Sequence, residues 1–203
     1  MFWLLIFLAC YLVAALNPAI IISKKVLGTD IRELGSGNAG STNVYRVMGL
    51  PWAVIVFALD LFKVFVAYGI TILFANLFKQ DLDMAKQIFI CAVLIGHCYP
   101  VYYGFKGGKG VATAIMAYLL VESKIAGICI TTGIIVLLVT GMVSAASISG
   151  AVLVSVLTLF LMPKYFFATL FVSCLIVFKH RKNIQRIIDG EENRVLWKNR
   201  NKD

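Results

Sequence analysis

Three polar stretches carry the groups that could do chemistry: "GSGNAGSTNVYR" at 35–46, "GHCYPVYYGFKGGKGVAT" at 96–113 and "KHRKNIQRIIDGEEN" at 179–193. The first brings together Ser36, Asn38, Ser41, Thr42, Asn43 and Arg46 in a glycine-rich loop. Its N–H groups, hydroxyls, amides and guanidinium all favour anions, phosphate above all. In the second, Gly107, Gly108 and Gly110 let the backbone approach a ligand closely, while Lys106 and Lys109 add charge. The apolar run from Val111 starts a helix whose free N–H groups point at the same spot. The third holds His180, Asn183, Arg186 and Glu192. Both histidines of the chain, His97 and His180, fall within these stretches.

Two of the stretches imitate nucleotide motifs. Gly35, Gly37 and Gly40 fit G-x-G-x-x-G, but that pattern has physical content only between a strand and a helix. Here a long apolar run and a basic loop precede it, so no dinucleotide-binding unit is expected. Gly104 to Gly108 encloses three residues, not four, and Lys109 is followed by Gly110, so the second stretch is not a Walker A loop.

The elements that must position these residues are membrane helices. Of the 203 residues, 61% are hydrophobic and 14% charged, with mean hydropathy +0.90. Soluble domains carry about 25% charged residues. Residues 2–22 hold no charge and are long enough to span, which takes about 20 apolar residues. No basic residue precedes that run and Lys24-Lys25 follow it, so it reads as a first span rather than a signal peptide. Apolar runs predict an all-α transmembrane bundle of about seven spans, near 2–22, 50–75, 86–99, 111–121, 125–142, 148–162 and 164–178. The chain reads as one integral membrane domain, 1–203.

Charge sets the expected orientation. With the N-terminus outside and the C-terminus cytosolic, fourteen Lys and Arg lie on the cytosolic side, against Lys79, Lys86, Lys124 and Lys164 opposite. All three polar stretches, and a short loop "SAAS" at 144–147, then share the cytosolic face. The formal charge of +9 is accounted for by this asymmetry and calls for no nucleic acid. Five cysteines without a C-x-x-C pair read as small buried hydrophobes, and no metal site is expected. Asp60 and Lys63, three apart within the second span, read as an intramembrane ion pair.

These motifs resemble those of the bacterial acyl-phosphate-dependent glycerol-3-phosphate acyltransferases, small polytopic enzymes of phospholipid synthesis. "DLFKV" at 60–64 is similar to a further family pattern, with Val64 where glycine is usual. Tyr99 replaces a usual phenylalanine, and Glu191 stands where a small residue is common. The resemblance covers essentially the whole chain. It implies acyl transfer from acyl phosphate to glycerol 3-phosphate at the cytosolic face of the bacterial inner membrane. It implies no cofactor, no metal and no covalent acyl-enzyme. The H-x-x-x-x-D hallmark of acyl-CoA acyltransferases is absent: Tyr102 and Gln185 stand four residues beyond the first position after His97 and His180.

The expected roles follow. Ser36, Asn38, Thr42 and Arg46, with Ser41 and Asn43, hold one phosphate. Lys106, with the amides of Gly107 and Gly108 and aided by Lys109, holds another phosphate or the oxyanion. His180 and Asn183, with Arg186 and Glu192, orient glycerol 3-phosphate. His97, His180 or the departing phosphate takes the hydroxyl proton. A transporter for an anionic solute is the competing reading; it predicts two similar halves and polar residues through to the far side, and neither is visible in the sequence. The protein's state of assembly is left open, a monomer being one possibility.

Overall fold

The structure is a computed structural model that describes residues 1–195; Lys198, Arg200 and Lys202 of the expected basic tail lie outside them. Among the described residues it is all helix and turn, without strands. The chain forms two compact units, one ending at Val121 and the other beginning at Glu122.

In the first unit α1 (Phe2–Ala15) and α2 (Pro18–Leu27) replace the expected single span. Pro18 lacks the N–H that would continue the helix, and the Asn17 side chain accepts from Ile20 N, so α2 is capped afresh. A 3-10 turn (Ile31–Glu33) and the short α3 (Ser41–Met48) lead to α4 (Leu50–Leu77). At 28 residues α4 is about 42 Å long, ample for a bilayer. Its outward face is apolar, with Val54, Phe57, Phe62, Phe65 and Leu73 exposed, whereas Asp60, Lys63 and Thr71 are buried. That is the inversion expected where lipid is the solvent.

Helix α5 (Leu82–Cys98) starts at Asp81, whose carboxylate accepts from Met84 N at 2.6 Å. It packs mainly on α1, and Gly96 makes the crossing close. A Cβ there would sit 2.5 Å from Tyr11 O and 3.0 Å from Ala14 Cβ. Helix α6 (Val111–Val121) is only about 16 Å long, half a bilayer, and packs on α4 and α5.

The second unit comprises α7 (Ser123–Thr140), α8 (Val143–Leu161), α9 (Phe166–Lys179) and α10 (Arg181–Ile188). Five segments are long and apolar enough to cross a membrane: Phe2–Leu27, Leu50–Leu77, Leu82–Tyr103, Ser123–Thr140 and Val143–Leu161. The other two of the seven runs become the shorter α6 and α9. The "SAAS" stretch is not a loop but the first turns of α8. Ser147 Oγ donates back to Val143 O at 2.8 Å, so a hydroxyl that could have marked a turn is satisfied inside the helix.

The Gly96 crossing yields a prediction. Gly96→Val must displace α1 backbone and should cost about 1–3 kcal/mol through overpacking. A melting midpoint in detergent equal to wild type would show that α1 and α5 do not depend on that contact.

Candidate active site

The break between α1 and α2 organises the first unit. Because Ile20 N turns to Asn17 Oδ1, Leu16 O loses its helical partner, and the Lys63 ammonium takes it at 2.8 Å. The same nitrogen lies 3.0 Å from His97 Nδ1 and 2.8 Å from Asp60 Oδ1. The contact with Asp60 is an ion pair without a well-directed hydrogen bond. His97 Nδ1 thus faces both the Lys63 ammonium at 3.0 Å and Asp60 Oδ1 at 3.5 Å, and its protonation depends on which of the two it bonds. Nε2 of the ring faces Gly108. His97 is buried in this arrangement.

Above this hub lie the first two glycine-rich stretches, and they touch. A Cβ on Gly108 would meet Ala39 O at 2.7 Å and would collide with His97 Nε2; one on Gly107 would collide with His97 O. The Asn17 amide donates to Ala39 O at 3.3 Å, which ties the first loop to the helix break. The expectation that the Gly107 and Gly108 amides face an anion needs correction. Gly107 N donates to Cys98 O and Gly108 N to His97 O, each at 3.2 Å. These glycines admit the protein's own α5 terminus; the cation beside them, Lys106, is exposed.

The first loop is organised by Asn43 from within. Asn43 is buried; its Oδ1 accepts from Ser36 N at 2.7 Å, and its Nδ2 donates to Leu34 O at 2.9 Å and Ile31 O at 3.1 Å. Asn43, expected to bind phosphate, thus has its amide turned inward. Ser36 and Arg46 are exposed, and Asn38, Ser41 and Thr42 are half-buried at the entry to α3. Lys109 is half-buried before α6, whose first backbone bond runs from Ala114 N to Gly110 O at 2.8 Å.

The second unit holds the third stretch. His180 is buried, its Nδ1 2.8 Å from Ile176 O, a contact that puts the neutral ring's proton on Nδ1 and leaves Nε2 as the acceptor. Glu192 gathers the rest. Its Oε1 accepts from Ser144 Oγ at 2.8 Å and Asn183 Nδ2 at 2.7 Å, and its Oε2 from Arg186 Nε at 2.7 Å. Val195 N closes the strap onto Gly141 O at 2.7 Å. Burial pushes the Glu192 carboxyl upward, but these donors outweigh it and hold the group below its ordinary value. Glu192 and Arg186 therefore act as braces around Asn183.

The fold and the two joined loops define a polytopic helical membrane protein whose exposed cations and hydroxyl suit phosphate-bearing ligands. A family model described as glycerol-3-phosphate acyltransferase matches residues 4–190. The chain belongs to the glycerol-3-phosphate acyltransferase family. It is 34% identical over 195 residues to the glycerol-3-phosphate acyltransferase of Photobacterium profundum, covering 96% of this chain and 94% of that one. The crystal structure of PlsY (YgiH), an integral membrane glycerol 3-phosphate acyltransferase, in its glycerol 3-phosphate form matches with TM-score 0.84 and 32% identity over 95% of this chain and 94% of that chain. Its lysophosphatidic acid form matches with TM-score 0.81 and 31% identity, with the same coverage.

Sequence reasoning missed the contacts that Asp30, Arg32, Asn17 and Ser144 make; Ala39, Tyr103, Lys106 and Glu192 are remote from their partners in sequence, whereas Lys24 and Ile20 are near theirs. Two outcomes are expected. Lys63→Met leaves Asp60 buried without its counter-charge and should destabilise by about 3–5 kcal/mol, with partial recovery when Asp60→Asn is added. Thermal melts of the single and double variants check this, and equal midpoints would refute it. For Glu192 the lowered folded value means stability that is fully present above the ordinary glutamate value of 4.5 and lost as pH falls through the folded value. Glu192→Gln should remove that acid limb from a plot of melting midpoint against pH.

Proposed function

We propose that the protein transfers a fatty acyl group from acyl phosphate to the 1-hydroxyl of sn-glycerol 3-phosphate, releasing 1-acylglycerol 3-phosphate and inorganic phosphate. The observation that carries this reading is the contact of the two cation-bearing loops at Ala39 and Gly108, in a member of a glycerol-3-phosphate acyltransferase family. The relative's glycerol 3-phosphate and lysophosphatidic acid forms support the acceptor and the product. Exposed Ser36 and Arg46, with Asn38, Ser41 and Thr42, receive one phosphate, and Lys106 with Lys109 receives the other or the oxyanion.

An acyl phosphate is a mixed anhydride that carries its own leaving group, so no enzyme nucleophile is needed. The glycerol hydroxyl attacks the carbonyl carbon, the C–O bond to phosphate breaks, and the hydroxyl proton leaves with a base. Alignment is worth of order 7–11 kcal/mol in well-oriented systems. The base is the departing phosphate, His97 or His180. Asn183, steadied by Glu192, orients glycerol 3-phosphate. The charge asymmetry of the sequence supports an active face on the cytosolic side of the bacterial inner membrane.

The test supplies purified protein in lipid with radiolabelled glycerol 3-phosphate and either palmitoyl phosphate or palmitoyl-CoA. Lysophosphatidate is expected from the acyl phosphate alone; product from the CoA ester alone would overturn the donor assignment. Alanine at Ser36, Arg46, Lys106 or His180 should lower kcat/KM by about 10²–10³-fold, the range for losing a preorganised donor. Unchanged values for both substrates would remove those assignments.

A further inference from the structure

Arg32 lies between the two loops of the first unit, and four of its five N–H donors have partners. Nε donates to Asp30 Oδ1 at 2.9 Å and Nη2 to Asp30 Oδ2 at 2.8 Å, a two-pronged pair. Nη1 donates to two main-chain oxygens of the second loop, Tyr103 O and Lys106 O, both at 2.8 Å. Asp30 is itself fixed: it is buried, caps the 3-10 turn through Arg32 N at 3.0 Å, and has the Lys24 ammonium at 3.2 Å. The Arg32 hydrogen bond holds the Asp30 carboxyl far below its ordinary value, so the brace stays charged throughout the working pH range.

The turn that Arg32 grips needs a grip. Phe105 sits at φ +59, a left-handed conformation that side-chain-bearing residues avoid, and its large apolar side chain is exposed. From Tyr103 to Lys106 the turn is held by Phe105 N to Pro100 O at 3.0 Å and by a long Lys106 N to Tyr103 O contact at 3.4 Å. Beyond it, Gly107 and Gly108 are pinned to the end of α5. Lys106 is therefore the link between a pinned strip and a left-handed turn, and Arg32 holds its carbonyl.

We propose that Arg32, braced by Asp30, is a positioning residue that sets the place of Lys106 against the first loop without touching substrate. This rests on the phosphate-binding role proposed for Lys106 above. Its mechanism is geometric: one planar guanidinium spans a carboxylate at the turn leading into the first loop and two carbonyls on the second. An ammonium cannot reproduce that fork, so Arg32→Lys keeps the charge and loses the span. In well-oriented reactions a 1 Å misplacement costs about a hundredfold.

Two readouts test it on the full-length protein in lipid vesicles. One is kcat/KM with palmitoyl phosphate and glycerol 3-phosphate. The other is the rate of tryptic cleavage after Lys106, which needs no activity. For Arg32→Lys the expected results are at least a tenfold loss of kcat/KM and at least tenfold faster cleavage after Lys106, with a retained cooperative melt. Asp30→Asn, which leaves Arg32 in place but loosens it, should move both readouts the same way by a smaller factor.

Loss of activity with unchanged cleavage overturns the proposal, because Arg32 would then act on substrate. Faster cleavage with unchanged activity overturns it too, because the register of Lys106 would not matter to the reaction. So does a change below threefold in both readouts, or loss of the fold in both variants. If wild type makes no product from either acyl donor, the acyltransferase reading fails, and the cleavage arm still judges whether Arg32 holds the turn.

Discussion

A single ammonium group at membrane depth holds the first unit in register. Lys63 donates to the carbonyl released by the α1–α2 break, touches the His97 ring and pairs in charge with the Asp60 carboxylate. An unpaired charge there would be costly, and so would an orphaned carbonyl. Each group satisfies another's need, and three segments far apart in sequence meet at one point. Moving any one of them would strand a polar group in an apolar environment.

From that point upward the arrangement is a stack of dependencies. The His97 ring fills the space that Gly108 leaves by having no side chain. Gly108 in turn meets Ala39, which the Asn17 amide holds in place from the break below. Asn43 shapes the first loop from inside, so that Ser36 and Arg46 can face outward. Buried side chains thus build the loop shapes, and exposed ones are left for a ligand. The second unit repeats the logic with the opposite charge, Glu192 drawing Ser144, Asn183 and Arg186 around one carboxylate.

Much of this was legible in the chain. Each of the seven apolar runs is largely helical, the first in two pieces, and five segments among the described residues have the length that bilayer thickness demands. The spacing of Asp60 and Lys63 marked them as partners. The break at Asn17-Pro18 was not read, although a proline after a capping residue signals a fresh start; the unbroken hydrophobicity around it masked the signal. The glycines at 107 and 108 were read as making room for a ligand, whereas they make room for His97. Composition shows that space is required and is silent about who occupies it. Arg32 registered only as loop charge, because two of its acceptors are peptide carbonyls, which every residue possesses and no sequence pattern displays.

Those carbonyl grips have a consequence for how far such a chain can drift. Leu16, Ala39, Tyr99, Tyr103 and Lys106 are each held through a main-chain oxygen, by Lys63, Asn17, Tyr11 and, for the last two, Arg32. The gripping side chain must stay, but at a gripped position without a further role, such as Leu16, the side chain can change without loosening the bond. At position 99 the Tyr11 hydroxyl reaches the backbone oxygen at 2.8 Å whatever side chain stands there. A scaffold fastened in this way concentrates its sequence demands on a few long polar side chains and tolerates turnover elsewhere.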